Sequence, residues 1–362
     1  YVLFVGLEAV GVVEAKRKAK DVSGALVQAE RYSREWKGGG ESHAPEGGPW
    51  GKERLHIPFL FATNGRPYLQ QIIEKSGIWF RDARRDENHG RALPGWVSPE
   101  GLVALLKQDI PTANAKLAAE PTDYLGLRDY QVRAIRAVEE GIARSDKALK
   151  ASDKKQTFLV AMATGTGKTR TAIGLVYRLL KHKRFRRVLF LVDRTALGEQ
   201  TANAFKDARL ENLHTFAEIF GMKELSDVAP DPDTKLQIAT IQGMVRRILF
   251  PGETTDTPSV DAYDCVIIDE CHRGYGLDRE MSESELSFRD LTDYVSKFRR
   301  VLDHFDAVKI GLTATPALHT IEIFGEPTFR YTYPEAVIDG YLVDHEPPIR
   351  IVTELGEDGI HW

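Results

Sequence analysis

Cysteine is nearly absent from these 362 residues, with only Cys265 and Cys271 present. Two thiols cannot make a disulfide framework and cannot by themselves complete a four-ligand zinc site, so small secreted scaffolds and zinc ribbons are excluded and a reducing, cytoplasmic setting is expected. Long hydrophobic runs are missing as well. The opening YVLFVGLEAVGVV carries Glu8, lacks a basic leader and falls short of the roughly 20 apolar residues that cross a bilayer. No targeting segment and no membrane partner are therefore expected. Neither sign of charge prevails: 49 Lys and Arg against 53 Asp and Glu leave a net charge of −4, so any contact with nucleic acid must come from local patches. There is no internal repeat. What remains, 42% hydrophobic and 28% charged, suits an ordinary globular chain, and its length suggests roughly two or three domains.

The stretch Thr157–Thr171, TFLVAMATGTGKTRT, organises the chain. A short apolar run leads into a small-residue turn closed by Gly165 and Gly167, and Lys168-Thr169 then open an amphipathic segment to about Lys181. That order predicts strand, phosphate loop and helix. Backbone N–H groups left accessible by Gly165, Thr166 and Gly167, the positive end of a helix and one ammonium could all meet a triphosphate. Lys168 is expected at the β- and γ-phosphates and Thr169 at Mg²⁺. The general pattern asks for glycine where Met162 stands, so the inner run Gly165–Thr169 must carry the motif.

Upstream, Tyr1–Val5 and Val10–Val13 read as strands, the second running into Glu14-Ala15-Lys16. Residues two apart on a strand share a face, so Glu14 and Lys16 point the same way. A carboxylate beside a lysine suits metal-dependent phosphodiester cleavage, Glu14 holding the cation and Lys16 positioning water or steadying charge. A helix over Asp21–Trp36, capped by Asp21 or Ser23, puts Gln28 and Tyr32 on one face. Strand-E-x-K followed by Q-x-x-x-Y resembles the PD-(D/E)xK nucleases. That family also uses an acidic residue on the preceding strand, which the resemblance places just ahead of Tyr1. Lys37–Lys52 reads as a long Gly/Pro-rich loop, Ile57–Thr63 and Tyr68–Ile73 as strands, Ser98–Gln108 as a helix and Pro111–Pro121 as a linker.

Further on, LRDYQVRAI opens a helix, and the basic run Arg178–Arg187 leads into the strand Val188–Val192. FLVDRTALGEQ, then Thr240-Ile241-Gln242-Gly243, then DCVIIDECH, then GLTATP each follow an apolar strand. This series resembles the motifs of superfamily 2 helicases and translocases. The resemblance implies an adenine-reading Gln131, DNA-phosphate contacts at Arg194, Thr195, Thr240 and Gln242, and an ATP-bound Mg²⁺ held by Thr169 and Asp269. It implies Glu270 as the base for the attacking water and His272 as the link to Thr313 and Thr315, which couple nucleotide state to strand movement.

The closing FGEPTFRYTYPEAVIDGYLV, taken with the rest, resembles the restriction subunit of type I restriction–modification enzymes. An α/β architecture is implied: a restriction-endonuclease-like domain over 1–96, a helical connection over 97–125, a RecA-like motor lobe with a parallel sheet over 126–345, and over 346–362 the start of a connection to a second lobe. The implied cofactors are ATP and Mg²⁺. The implied partners are double-stranded DNA and the specificity and methyltransferase subunits. Two other readings stand beside it: a lone superfamily 2 repair translocase with a degenerate nuclease domain, and a non-hydrolysing nucleotide-gated docking lobe.

Overall fold

A computed structural model describes residues 1–193, 195–210, 214–225, 227, 230–251, 257–272 and 290–344, with the backbone alone for 290–296. The first sheet contains β1 (Val2–Val5), β2 (Glu8–Ala15), β3 (Phe59–Thr63), β4 (Ile78–Asp82) and β5 (Arg91–Leu93), paired in that order. It is mixed: β2 and β3 run parallel and the other neighbours antiparallel. A parallel pair needs a crossover, and α1 (Leu26–Glu35) supplies it, burying Leu26, Ala29 and Ser33 while the opposite helix face stays wet. Neither Asp21 nor Ser23 caps this helix; a short 3₁₀ turn at Ser23–Ala25 leads in without a side-chain cap. Tyr68–Ile73 is not a strand either. Ser76 is buried there, its hydroxyl tied to the backbone of Leu69 and Ile72, and it folds Gln70–Lys75 into 3₁₀ turns, so the next strand starts only at Ile78.

Two helices follow, α2 (Pro99–Leu106), capped by the Ser98 hydroxyl, and α3 (Ile110–Ala119), capped by Asp109. The second overturns the linker expected at Pro111–Pro121. Pro111 falls in the first turn, where its missing N–H costs nothing, and Ala113 and Leu117 share a buried face.

The second part begins with α4 (Asp129–Asp146). Its strands and helices run β6 (Thr157–Met162), α5 (Lys168–Lys181), β7 (Val188–Val192), α6 (Thr195–Asp207), α7 (Phe216–Ile219), β8 (Gly221–Lys223), β9 (Thr234–Thr240), α8 (Ile241–Leu249), β10 (Cys265–Ile268), α9 (Asp290–His304), β11 (Val308–Thr313), α10 (Leu318–Phe324), β12 (Phe329–Tyr331) and α11 (Tyr333–Ile338). The sheet order is β12-β6-β11-β10-β7-β9-β8 and every pairing is parallel. Continuous apolar runs such as VLFLV and CVII suit strands covered on both faces. Phe158, Val160, Phe190 and Ile267 pack to one side under α4 and α5, whereas Leu159, Leu189, Leu191 and Ile268 pack to the other against α8 and α9. Because all strands point one way, the loops after β6, β7, β9, β10 and β11 gather at one edge, where α/β sheets bind ligands.

Candidate nucleotide and nuclease sites

At that edge the phosphate loop is shaped by glycines. Gly165 and Gly167 both have φ of +83°, in the left-handed region that side chains avoid, and a Cβ on Gly167 would meet Gln131 Nε2 at 2.6 Å. Lys168, 9% exposed, opens α5, and its ammonium lies 3.3 Å from Glu270 Oε1. Thr169, next to it on the first turn, is half-buried. Register fixes the opposite partner: Ile268, the last residue of β10, lies between Leu191 and Gly311, so Asp269 and Glu270 emerge beside the loop. The Glu270 amide donates to Asp269 Oδ1 at 2.9 Å, and Glu270 itself has φ of +45°, an unusual conformation for a side-chain-bearing residue.

From Glu270 a chain of contacts continues. His272 Nδ1 is 3.3 Å from Glu270 Oε2 and 2.9 Å from Thr313 Oγ1, and the Thr315 amide donates to that same hydroxyl at 3.1 Å. The residues expected to bind phosphate, activate water and couple to strand movement thus touch in series. Cys271, between them in sequence, is fully buried, its amide bonded to Leu312 O and its thiol pushed up by burial, which leaves it unreactive.

Gln131 sits against the phosphate loop. It is 3% exposed; its Nε2 donates to Thr166 O at 3.0 Å and its Oε1 accepts from the Arg128 amide at 3.0 Å. Both ends of the amide brace the phosphate loop and the start of α4. Tyr130 assists, its hydroxyl donating to Thr166 O at 2.8 Å, and the sequence reading passed over it although it adjoins Gln131. A cleft of about 630 Å³ lined by Leu125, Leu127, Gly167, Thr169 and Arg170 opens beside the loop and has apolar walls suited to a planar base.

On the expected DNA track, Arg194 lies outside the described residues. Thr195 starts α6 exposed, Thr240 caps α8 by accepting from the Gly243 amide at 3.1 Å, and Gln242 is half-buried in the first turn of that helix.

In the first sheet, Lys16 continues β2, its amide bonded to Thr63 O at 2.8 Å. Its ammonium is 2.7 Å from Glu14 Oε1 and donates to Gln28 Oε1, so carboxylate, lysine and glutamine meet. Tyr32, one turn beyond Gln28, is 41% exposed with the Arg31 guanidinium 5.2 Å from its ring centre. β1 pairs antiparallel with β2, Val2 opposite Val12. Among the described residues no group of three or more His, Cys, Asp and Glu gathers.

A family model described as the second domain of the type I restriction enzyme EcoKI endonuclease subunit matches residues 1–106, and one described as the type III restriction enzyme res subunit matches 124–318. The EcoKI endonuclease subunit of Escherichia coli (strain K12) is 48% identical over all of this chain. The chain belongs to the family of type I restriction-enzyme endonuclease subunits. The EcoAI endonuclease subunit of Escherichia coli is 28% identical over 92% of it. The chain spans about a third of the length of these curated relatives, 32% and 35%. A solved fragment described as an HsdR subunit of a type I restriction enzyme from Vibrio vulnificus YJ016 covers 92% of the chain and matches over 49% of its own length, with 23% identity and a TM-score of 0.36. Among the described residues no helix is long and apolar enough to cross a membrane.

Proposed function

We propose that this chain is the nuclease and first motor lobe of a type I restriction subunit that uses ATP to move along double-stranded DNA and cuts it away from the recognition site. The observation that carries the reading is the unbroken contact series Lys168–Glu270–His272–Thr313 at one sheet edge, in the same polypeptide as the Glu14–Lys16–Gln28 cluster of another sheet. Residues 1–96 form the nuclease unit, 97–125 the connection and 126–345 the motor lobe. Base recognition belongs to a specificity subunit and methylation to a methyltransferase subunit.

In the motor, Gly165 and Gly167 present backbone N–H groups to the phosphates, the Thr166 amide turns from Ala163 O towards them, and Lys168 leaves Glu270 to meet their charge. Thr169 and Asp269 would hold Mg²⁺, which when bound neutralises phosphate charge. Glu270, freed from Lys168, takes the proton of the attacking water, and His272 passes its change of partner to Thr313 and Thr315. The base lies in the cleft by Leu127 and Arg170, while Gln131 holds the loop. In the nuclease, Glu14 would hold Mg²⁺, Lys16 steadies charge on the scissile phosphate, and Gln28 and Tyr32 orient that lysine and the strand. Thr195, Thr240, Gln242 and Arg194 contact phosphates of the tracked strand.

Substitution in the full-length enzyme assembled with its partners separates the two sites. Lys168→Ala abolishes ATP hydrolysis and, with it, cleavage; Glu14→Gln abolishes cleavage, by at least about 100-fold, and leaves DNA-stimulated ATP hydrolysis intact. Retained cutting in the Glu14 variant would sink the nuclease assignment.

A further inference from the structure

Directly after the nuclease-site lysine the chain reads Arg17-Lys18-Ala19-Lys20-Asp21. Arg17, Lys18 and Lys20 are exposed, and among the described residues no carboxylate pairs with any of them. The acid at the end of the run, Asp21, is turned to Lys75 at 3.7 Å. The arrangement differs from that of another basic stretch of the chain. In the denser run Arg178–Arg187, Arg178 is bound to Glu139 and Glu120, Arg184 to Asp146 and Arg186 to Asp264.

The cationic turn is also held in place from within. The Lys20 amide closes it on Arg17 O at 2.9 Å. Asn64, 4% exposed at the end of β3, donates from Nδ2 to Lys20 O and Lys75 O, each at 2.9 Å, and to Lys18 O at 3.4 Å. Its Oδ1 accepts from the Arg66 amide at 3.1 Å, which fixes the amide's orientation. β3 is the neighbour of β2, with Thr63 opposite Ala15, so the same strand pair that sets Glu14 and Lys16 also sets the turn. A buried amide gathers the backbone carbonyls, and the exposed cationic residues follow directly in the chain on the strand end that carries Glu14 and Lys16.

We propose that Arg17, Lys18 and Lys20 form a phosphate clamp that holds the DNA backbone against the Glu14–Lys16 site, with Asn64 as its positioning residue. The clamp rests on the nuclease reading given above. Its three cations suit the phosphate oxygens of the backbone, and contacts of that kind carry no sequence information directly. That chemistry fits a nuclease that accepts whatever sequence is delivered to it.

The test uses the full-length enzyme with its partner subunits, carrying Arg17→Gln, Lys18→Gln and Lys20→Gln together, with plasmid cleavage and DNA-stimulated ATP hydrolysis measured across a salt series. ATP hydrolysis stays at the wild-type rate. Cleavage falls at least about tenfold at low salt and the deficit narrows as salt rises, because each lost phosphate contact makes the salt dependence shallower by roughly 0.9 in log–log slope. Asn64→Asp, which turns a carboxylate on the same carbonyls, lowers cleavage by itself and adds little to the triple variant. Wild-type cleavage in the triple variant overturns the clamp, and so does a deficit that does not change with salt. A parallel Glu14→Gln enzyme separates the two failures: if it still cuts, the nuclease reading falls, whereas if it is dead and the triple variant cuts normally, only the clamp falls.

Discussion

Gln131 shows what a single residue can and cannot tell from sequence. Its distance ahead of Lys168 marked it as a nucleotide contact, and the resemblance made it a reader of adenine. Its position beside the loop was legible because helix, loop and strand follow a fixed order. Its partners were not, because an amide that can pair with a base edge can pair equally well with a peptide, and only packing decides between them. Here it donates to Thr166 O and accepts from the Arg128 amide. A bracing role means that its removal releases the loop and not one face of a base. Gln131→Ala should weaken ATP and GTP together, by about tenfold, the effect of roughly 1–2 kcal/mol of lost buried hydrogen bonding. Titration of both nucleotides checks this. If ATP alone weakens while GTP binds as before, Gln131 reads adenine after all and the bracing role is refuted. Glu270 is a second case: the D-E-x-H pattern located it, yet its φ of +45° depends on how the chain turns off β10, which no pattern of residue types records.

At the scale of elements, the run Arg178–Arg187 stands out in the sequence only as a basic stretch leading into the strand Val188–Val192. Most of it is an internal fastener. Arg178 is fully buried and joins α5 to α4 through Glu139, while Lys181, His182 and Arg178 all converge on Glu120 just past α3. Long-range pairing of this kind is invisible in sequence because its acidic partners lie 39 and 58 positions away. The same contacts explain why the segment expected as a linker is a helix: Leu117 O accepts from Arg178, so the end of α3 is part of the packed motor. Burial would raise the Glu120 carboxyl, but hydrogen bonds from Lys181, His182 and Tyr124 outweigh it and bring it from 4.5 to about 2. A carboxyl depressed by folding contributes stability above its unfolded value, and that contribution is lost as pH falls from about 4.5 through about 2. Glu120→Gln should therefore lower the melting temperature by about 2–4 °C at neutral pH, the effect of roughly 1 kcal/mol after discounting for solvent screening at a part-exposed group. The gap between variant and wild type should close as the melts are repeated at lower pH. A gap that stays constant from neutral to acid conditions would show that the carboxylate's charge is not what holds the fastener.

Across the whole molecule, both sheets were legible from apolar runs and their spacing, whereas the contact between them was not. Arg91 at the start of β5 reaches Asp306, just ahead of β11, with Nε 2.6 Å from Oδ1, and its guanidinium lies 4.9 Å from the Phe80 ring centre. Burial alone would raise the Asp306 carboxyl; Arg91 overrides it and holds the carboxyl below the usual range. A second clasp lies nearby. Asp261 accepts from the Ser98 amide at 2.8 Å and from its hydroxyl at 2.6 Å, and Val260 packs into the core of the first sheet with Val97 and Leu102. Gly101 is required beneath it, since a Cβ there would fall 1.9 Å from Asp261 Oδ2. These contacts tie the first sheet and α2 to the ends of the parallel strands opposite the nucleotide edge. Removing the Asp306 carboxylate leaves the half-buried Arg91 unpaired, at a cost of about 2 kcal/mol, less than for a fully buried pair. The cost falls on the contact and not on either core, so it should appear as local opening. In the full-length protein, Asp306→Ala should speed hydrogen exchange at the Ser98 and Gly101 amides by about 30-fold while amides within β7 and β10 exchange as before. Equal acceleration throughout the parallel sheet would mean that Asp306 supports the motor core itself, and unchanged exchange at Ser98 would mean that the two sheets are held together without it.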